Sequence, residues 1–162
     1  MTLLLVDGTN IVMRCAFGGD VPVAEAVEYA GRMIGRATAH VEATHLVVAF
    51  DSPGPTWRKE LAPSYKAHRT TETHEYSAAA ATAFARLGWY CVSTERFEAD
   101  DVIATIAARA HGAADGHAEQ LVDPGACVPD QAALDLDDHD GNRMRPRDDA
   151  EALLAVAQFA GH

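Results

Sequence analysis

Cysteine is scarce in this chain of 162 residues. Cys15, Cys91 and Cys127 are odd in number and follow no ligand-like spacing. That argues against a disulfide framework and a cysteine-built metal site, and for a reduced, cytoplasmic chain. Long apolar runs are lacking too. Nothing has the length of a membrane span, and Leu3-Leu4-Leu5-Val6 is too short, and without a basic flank, to be a signal peptide. Positive charge is in short supply: 13 Lys and Arg stand against 24 Asp and Glu, for a net charge of −11. General nucleic-acid binders are usually basic, so the sum argues weakly against one. The distribution matters more. Acids dominate from Asp123 to Glu151, whereas Arg58, Lys59, Lys66 and Arg69 cluster with only Glu60 among them. Internal repeats and an obvious linker are also missing. Length and a hydrophobic content of 48% then indicate one domain with a workable core, 1–162.

What is present is organised around Phe97-Glu98-Ala99-Asp100-Asp101-Val102-Ile103. Three carboxylates fall within four residues, and an apolar helical run follows. Carboxylates suit a helix N-terminus, where the dipole favours them. Three together repel one another, and a divalent cation relieves that repulsion. A capping-rich helix start and a metal site both fit this stretch taken alone.

The rest of the chain bears on that choice. Thr2 to Val6 reads as a buried strand ending at Asp7-Gly8. Val23, Val27, Ala30, Ile34, Ala37 and Val41 recur at helical spacing, and His45 to Phe50 reads as a second buried strand ending at Asp51. Strand, helix and strand make a βαβ unit with a parallel pair. Asp7 and Asp51 then share the carboxyl edge of one sheet, where open α/β sheets place their sites. Either Asp alone is as readily a turn residue or a cap.

Trp57 to Arg69 is basic and dotted with aromatics, and a helix there would put Lys66 and Arg69 on one face. Thr70 to Tyr76 is polar and reads as mobile. Ser77 to Leu87 reads as a helix stopped by Gly88, and Trp89 to Ser93 as a third strand leading to Glu98. The helix after Glu98 runs to about His111, with Val102, Ile103, Ile106 and Ala110 on its apolar face. Beyond about 112 the pattern becomes irregular. Asp135, Asp137, Asp138 and Asp140 resemble a calcium loop only superficially, because no Glu closes it. Asp148 to Ala160 reads as a last helix.

Three segments in order resemble one family. They are Leu4-Leu5-Val6-Asp7-Gly8-Thr9-Asn10 with Arg14; Val48-Ala49-Phe50-Asp51 with Gly54-Pro55-Thr56-Trp57-Arg58 and Tyr65-Lys66-Ala67-His68-Arg69; and Phe97 to Ile103. The family is the bacterial 5′-nuclease, or flap endonuclease, superfamily, which includes the 5′→3′ exonuclease domain of DNA polymerase I. The resemblance covers roughly Thr2 to Ala110. It implies an α/β, PIN-like (resolvase-like) three-layer fold with a central, mainly parallel sheet and a helical arch. It implies hydrolysis of DNA phosphodiesters at 5′ flaps or 5′ ends, in replication or repair, with Mg²⁺ or Mn²⁺. By resemblance Asp7, Asp51, Glu98, Asp100 and Asp101 are metal ligands. Lys66 and Arg69 are catalytic residues that reach the phosphate, Tyr65 stacks on a base, and Arg14 contacts a phosphate.

The sequence departs from the family downstream. The fourth strand and its Gly-Asp-x-Asp motif, which supplies a second ion, have no clear counterpart. Asp115-Gly116-His117 falls at that place, with His117 where an Asp is expected, and a polar loop is the plainer reading of it. The family's helix–hairpin–helix DNA clamp is also not found, since the chain ends where it would begin. A metal-dependent 5′-nuclease of reduced activity is therefore the first expectation. A DNA-binding remnant or fragment without turnover is the second, and a PIN-like ribonuclease the third.

Overall fold

The computed structural model describes residues 2–17, 21–66, 73–112 and 154–158. Arg69, Asp115, His117, Cys127 and the acids from Asp135 to Asp140 lie outside them. The chain runs β1 (Thr2–Asp7), α1 (Gly8–Ala16), α2 (Val23–His40), β2 (His45–Ala49), α3 (Trp57–Leu61), α4 (Thr73–Arg86), β3 (Tyr90–Val92), α5 (Ala99–Gly112) and β4 (Leu154–Gln158). The sheet order is β3-β2-β1-β4. The first three strands are parallel, and β4 runs antiparallel to β1.

Alternation along the strands explains the layers. Leu4 and Val6 of β1 and Leu46 and Val48 of β2 join the larger core, with Ile11, Val12, Ala30, Ile34, Ala80 and Phe84 from α1, α2 and α4. Leu3, Leu5 and Val47 point the other way, against Ile103, Ile106, Ala107 and Ala110 of α5. The sheet is thus sandwiched between helices, as the α/β reading requires. The apolar faces expected for α2 and α5 are the faces that pack.

At four places the structure sharpens or corrects the sequence reading. The stretch after Asp7 is helical, and of the two plain readings of that Asp, turn residue or cap, the cap holds. Asp7 is the N-cap of α1 and its Oδ1 accepts from the Asn10 amide at 2.8 Å. Thr73 to Tyr76 forms the first turn of α4, so that helix starts earlier than Ser77; Gly88 follows it at φ 81°, the left-handed stop expected of it. In the basic stretch from Trp57, α3 ends at Leu61, and Lys66, at φ 50°, lies beyond it; the pairing with Arg69 falls outside the described residues. Lastly, Leu154–Gln158 is a strand, not part of a helix, in register from Thr2↔Gln158 to Val6↔Leu154. A five-residue apolar run suits either state. Pairing with β1 satisfies backbone groups that would otherwise form an open sheet edge, and that non-local gain decides it.

Gly8 fixes how β1 meets α1. A Cβ there would lie 2.7 Å from the Phe50 ring and 2.7 Å from Val48 Cγ1. Both neighbours are buried in the core. No side chain fits between Asp7 and α1 without moving the end of β2, and Asp51 with it. Among the described residues no helix is long and apolar enough to cross a membrane.

Candidate active site

Three acids converge at the carboxyl edge of the sheet. Asp7 ends β1, level with Ala49 of β2. Asp51 lies two residues beyond Ala49, and its position is pinned twice. Its amide donates to Thr9 Oγ1 at 2.9 Å, and its Oδ1 accepts from the Ala99 amide, the first of α5, at 2.8 Å. One residue, through its amide and its carboxylate, thereby ties the end of β2 to the N-termini of α1 and α5. Asp100 follows Ala99 and is exposed.

The three charges act on one another. Burial pushes the Asp7 carboxyl up to about 6, against the bond from Asn10; Asp51 and Asp100 add to the rise, and Lys66 counters it. The Asp7 carboxyl so placed is costly to ionise without a cation nearby.

Glu98 and Asp101 are differently engaged. Glu98 precedes α5, and its amide donates to Asp101 Oδ2 at 3.1 Å, the back-reaching half of a capping box. Asp101 also receives the Arg58 guanidinium as a fork, at 2.5 and 2.6 Å, and Trp57 Nε1 at 3.4 Å. The guanidinium holds the Asp101 carboxyl below its ordinary range, with help from the Glu98 amide and Trp57. Arg58 also stacks over the Trp57 ring at 4.7 Å. Glu98 is buried, and its Oε2 accepts from Lys66 Nζ at 2.9 Å and from Tyr65 Oη at 3.3 Å, with Arg58 at 3.5 Å.

The five expected acids therefore gather at one edge but divide into two groups. Asp7, Asp51 and Asp100 face one another's charge. Glu98 and Asp101 are paired with cations from residues 58 to 66. Among the described residues no three His, Cys, Asp or Glu side chains form a ready-made metal cage. The donors present, carboxylate oxygens only, do suit a hard divalent ion. Lys66 is at the site, on Glu98. Tyr65 turns its hydroxyl to Glu98 and carries the Lys66 ammonium 5.1 Å over its ring. Arg14 is exposed in the last turn of α1, away from the α1 N-terminus at which Asp7 sits.

Two contributors escaped the sequence reading. Arg58 reaches Asp101 across 43 residues, a pairing that no local spacing announces. Thr9 buttresses Asp51 across 42 residues and is equally silent in the sequence. The helix that carries Thr9 had a signal, since Ile11, Val12, Cys15 and Ala16 follow an N-capping Asp at helical spacing.

This geometry stands in a chain whose residues 2–133 match the family model of the 5′-3′ exonuclease, N-terminal resolvase-like domain. The match spans β1 through α5, every element that positions the acids. The chain belongs to the 5′-3′ exonuclease N-terminal, resolvase-like domain family.

Proposed function

We propose that this domain is a divalent-metal-dependent nuclease that hydrolyses DNA phosphodiesters at 5′ flaps or 5′ ends. The observation that carries the reading is the Asp51–Ala99 bond at 2.8 Å. It brings the acids at the ends of β1 and β2 together with the acidic first turn of α5, so that the sheet edge and a helix start supply several carboxylates at one place. Family membership supports DNA as substrate and Mg²⁺ or Mn²⁺ as cofactor.

Asp7, Asp51 and Asp100 would hold the ion, joined by Glu98 and Asp101 once these are released. When bound, such an ion lowers the pKa of a coordinated water and offsets charge on the phosphoryl group. The chain's own residues do the rest. Thr9 and the Ala99 amide hold Asp51 in place. Lys66 brings an ammonium to the acid cluster, suited to meeting a phosphate oxygen as charge builds on it. In the metal-free protein Arg58 and Trp57 tie the start of α5 to the segment after β2.

A second reading, DNA binding without turnover, draws on the cation pairing of Glu98 and Asp101. A labelled 5′-flap duplex separates the two. Incubated with Mg²⁺ or Mn²⁺, it is expected to be cut near the flap junction, and EDTA is expected to abolish the cut. A flap that is bound in a salt-sensitive way but never cut, in either metal, would favour the second reading.

A further inference from the structure

We propose that Arg58 is a built-in competitor for the divalent ion: it occupies Asp101 in the metal-free protein, and ion binding is coupled to release of the Trp57 to Lys66 segment. The inference rests on reading the acids as a metal site, and adds how access to that site is controlled.

Asp101 is heavily engaged. An ionised carboxylate offers about four lone-pair positions over its two oxygens. Oδ2 takes three donors, from Arg58, Trp57 and the Glu98 amide, and Oδ1 takes the other arm of the Arg58 fork. To serve a metal through Oδ2, or through both oxygens, it must give up a donor. The Glu98 amide belongs to the cap of α5, and the Trp57 contact is the longest. The Arg58 fork is the part that a dication would replace. Glu98 repeats the pattern, with Lys66 at 2.9 Å and Arg58 at 3.5 Å on one oxygen.

The segment that supplies these cations is lightly held. α3 buries none of its five residues, and Leu61 is 77% exposed. Away from the acids, its attachments include the Trp57 amide bonded to the Arg96 carbonyl at 3.0 Å and an exposed pair between Glu60 and Arg96. Lys66 sits at φ 50°, a conformation costly for a residue with a side chain, in the turn that brings its ammonium to Glu98. A segment with few buried contacts opens at low cost. Contacts made only in the metal-free state lower the apparent affinity for the ion by the fraction of molecules they hold closed.

The test is Mn²⁺ titration by calorimetry of the whole chain and three variants, in parallel with amide exchange over residues 57–66 with and without Mg²⁺. Arg58→Gln is expected to bind Mn²⁺ about tenfold more tightly. Arg58→Lys, which keeps the charge but loses the fork, is expected to fall between it and the wild type. Lys59→Gln removes a charge from the same segment, at an exposed residue outside the lock, and is expected to bind as the wild type does. In the wild-type protein, Mg²⁺ is expected to speed exchange over 57–66. Wild-type binding that Arg58→Gln leaves unchanged or weakens would overturn the competitor role and leave the metal site standing. Lys59→Gln tightening as much as Arg58→Gln would reduce the effect to general charge and overturn it as well. No Mn²⁺ binding by any form would remove the metal-site reading, and the inference with it. Should Arg58→Gln fail to fold, Arg58→Lys and the exchange data decide alone. Equal affinity of Arg58→Lys and wild type, with no change in exchange, would then overturn the proposal.

Discussion

Asp51→Asn is expected to lower flap cleavage by about a hundredfold to a thousandfold at saturating metal while leaving the melting temperature within a few degrees of the wild type. The fold should survive because the amide oxygen of Asn can still accept from Ala99, as Oδ1 does at 2.8 Å. The backbone bond to Thr9 involves no side-chain atom of residue 51. The substitution therefore removes one negative charge from the cluster and little else. Cleavage at a fixed flap concentration, run beside a thermal melt, measures both quantities. A loss of less than about threefold, with the fold intact, would take Asp51 out of the metal site.

Asp7→Asn is expected to cost activity on the same scale and to stabilise the metal-free protein at neutral and alkaline pH. Burial raises the Asp7 carboxyl from 3.8 to about 6. Below 3.8 it is protonated whether the chain is folded or not, and the substitution changes little. As pH rises through about 6, the wild type must ionise a carboxyl in a poorly solvated place beside two other acids. The stability present in acid is then lost, whereas the amide keeps it. Above that pH the variant should gain on the order of 1–3 kcal/mol in EDTA. Asn also retains the cap, since its oxygen can accept from the Asn10 amide as Asp7 does. Denaturant unfolding of both proteins in EDTA at pH 4 and pH 8 checks the sign. A variant less stable than the wild type at pH 8 would show that the Asp7 charge is already compensated within the chain. Added Mn²⁺ should reverse the order at pH 8, because it stabilises only the protein that binds it.

Much of this was legible in the chain itself, for reasons that can be traced. The strands β1 and β2 are short apolar runs that stop at an Asp, and buried parallel strands leave that signature. The faces of α2 and α5 were readable because one-sided burial imposes a 3.6-residue period. Placing Asp7 and Asp51 at one sheet edge needed only the order strand, helix, strand. Other features depend on partners distant in sequence. Leu154–Gln158 carries an apolar pattern compatible with a helix, and its state is set by the free edge of β1. Lys66 meets Glu98 from beyond the end of a helix, because α3 stops after five residues and the chain turns at Lys66.

The site was half legible in the same sense. Its acids could be named from strand ends and from the crowding at Glu98, Asp100 and Asp101. Their division could not. The Arg58 fork on Asp101 and the Lys66 contact on Glu98 span 43 and 32 residues. They exist because the turn after β2 brings a basic segment back over the start of α5. A list of acids alone would describe a site waiting for a metal, whereas the fold places two of those acids in the hands of internal cations.

The central claim is that the acids at this sheet edge hold the ion with which the chain cuts DNA. Crystals soaked in Mn²⁺ and measured near the manganese absorption edge test it most directly. The account expects anomalous density among the carboxylates of Asp7, Asp51 and Asp100, with Glu98 or Asp101 turned toward it and Arg58 displaced. Anomalous density elsewhere, or none in a soaked crystal whose Arg58 still grips Asp101, would contradict it.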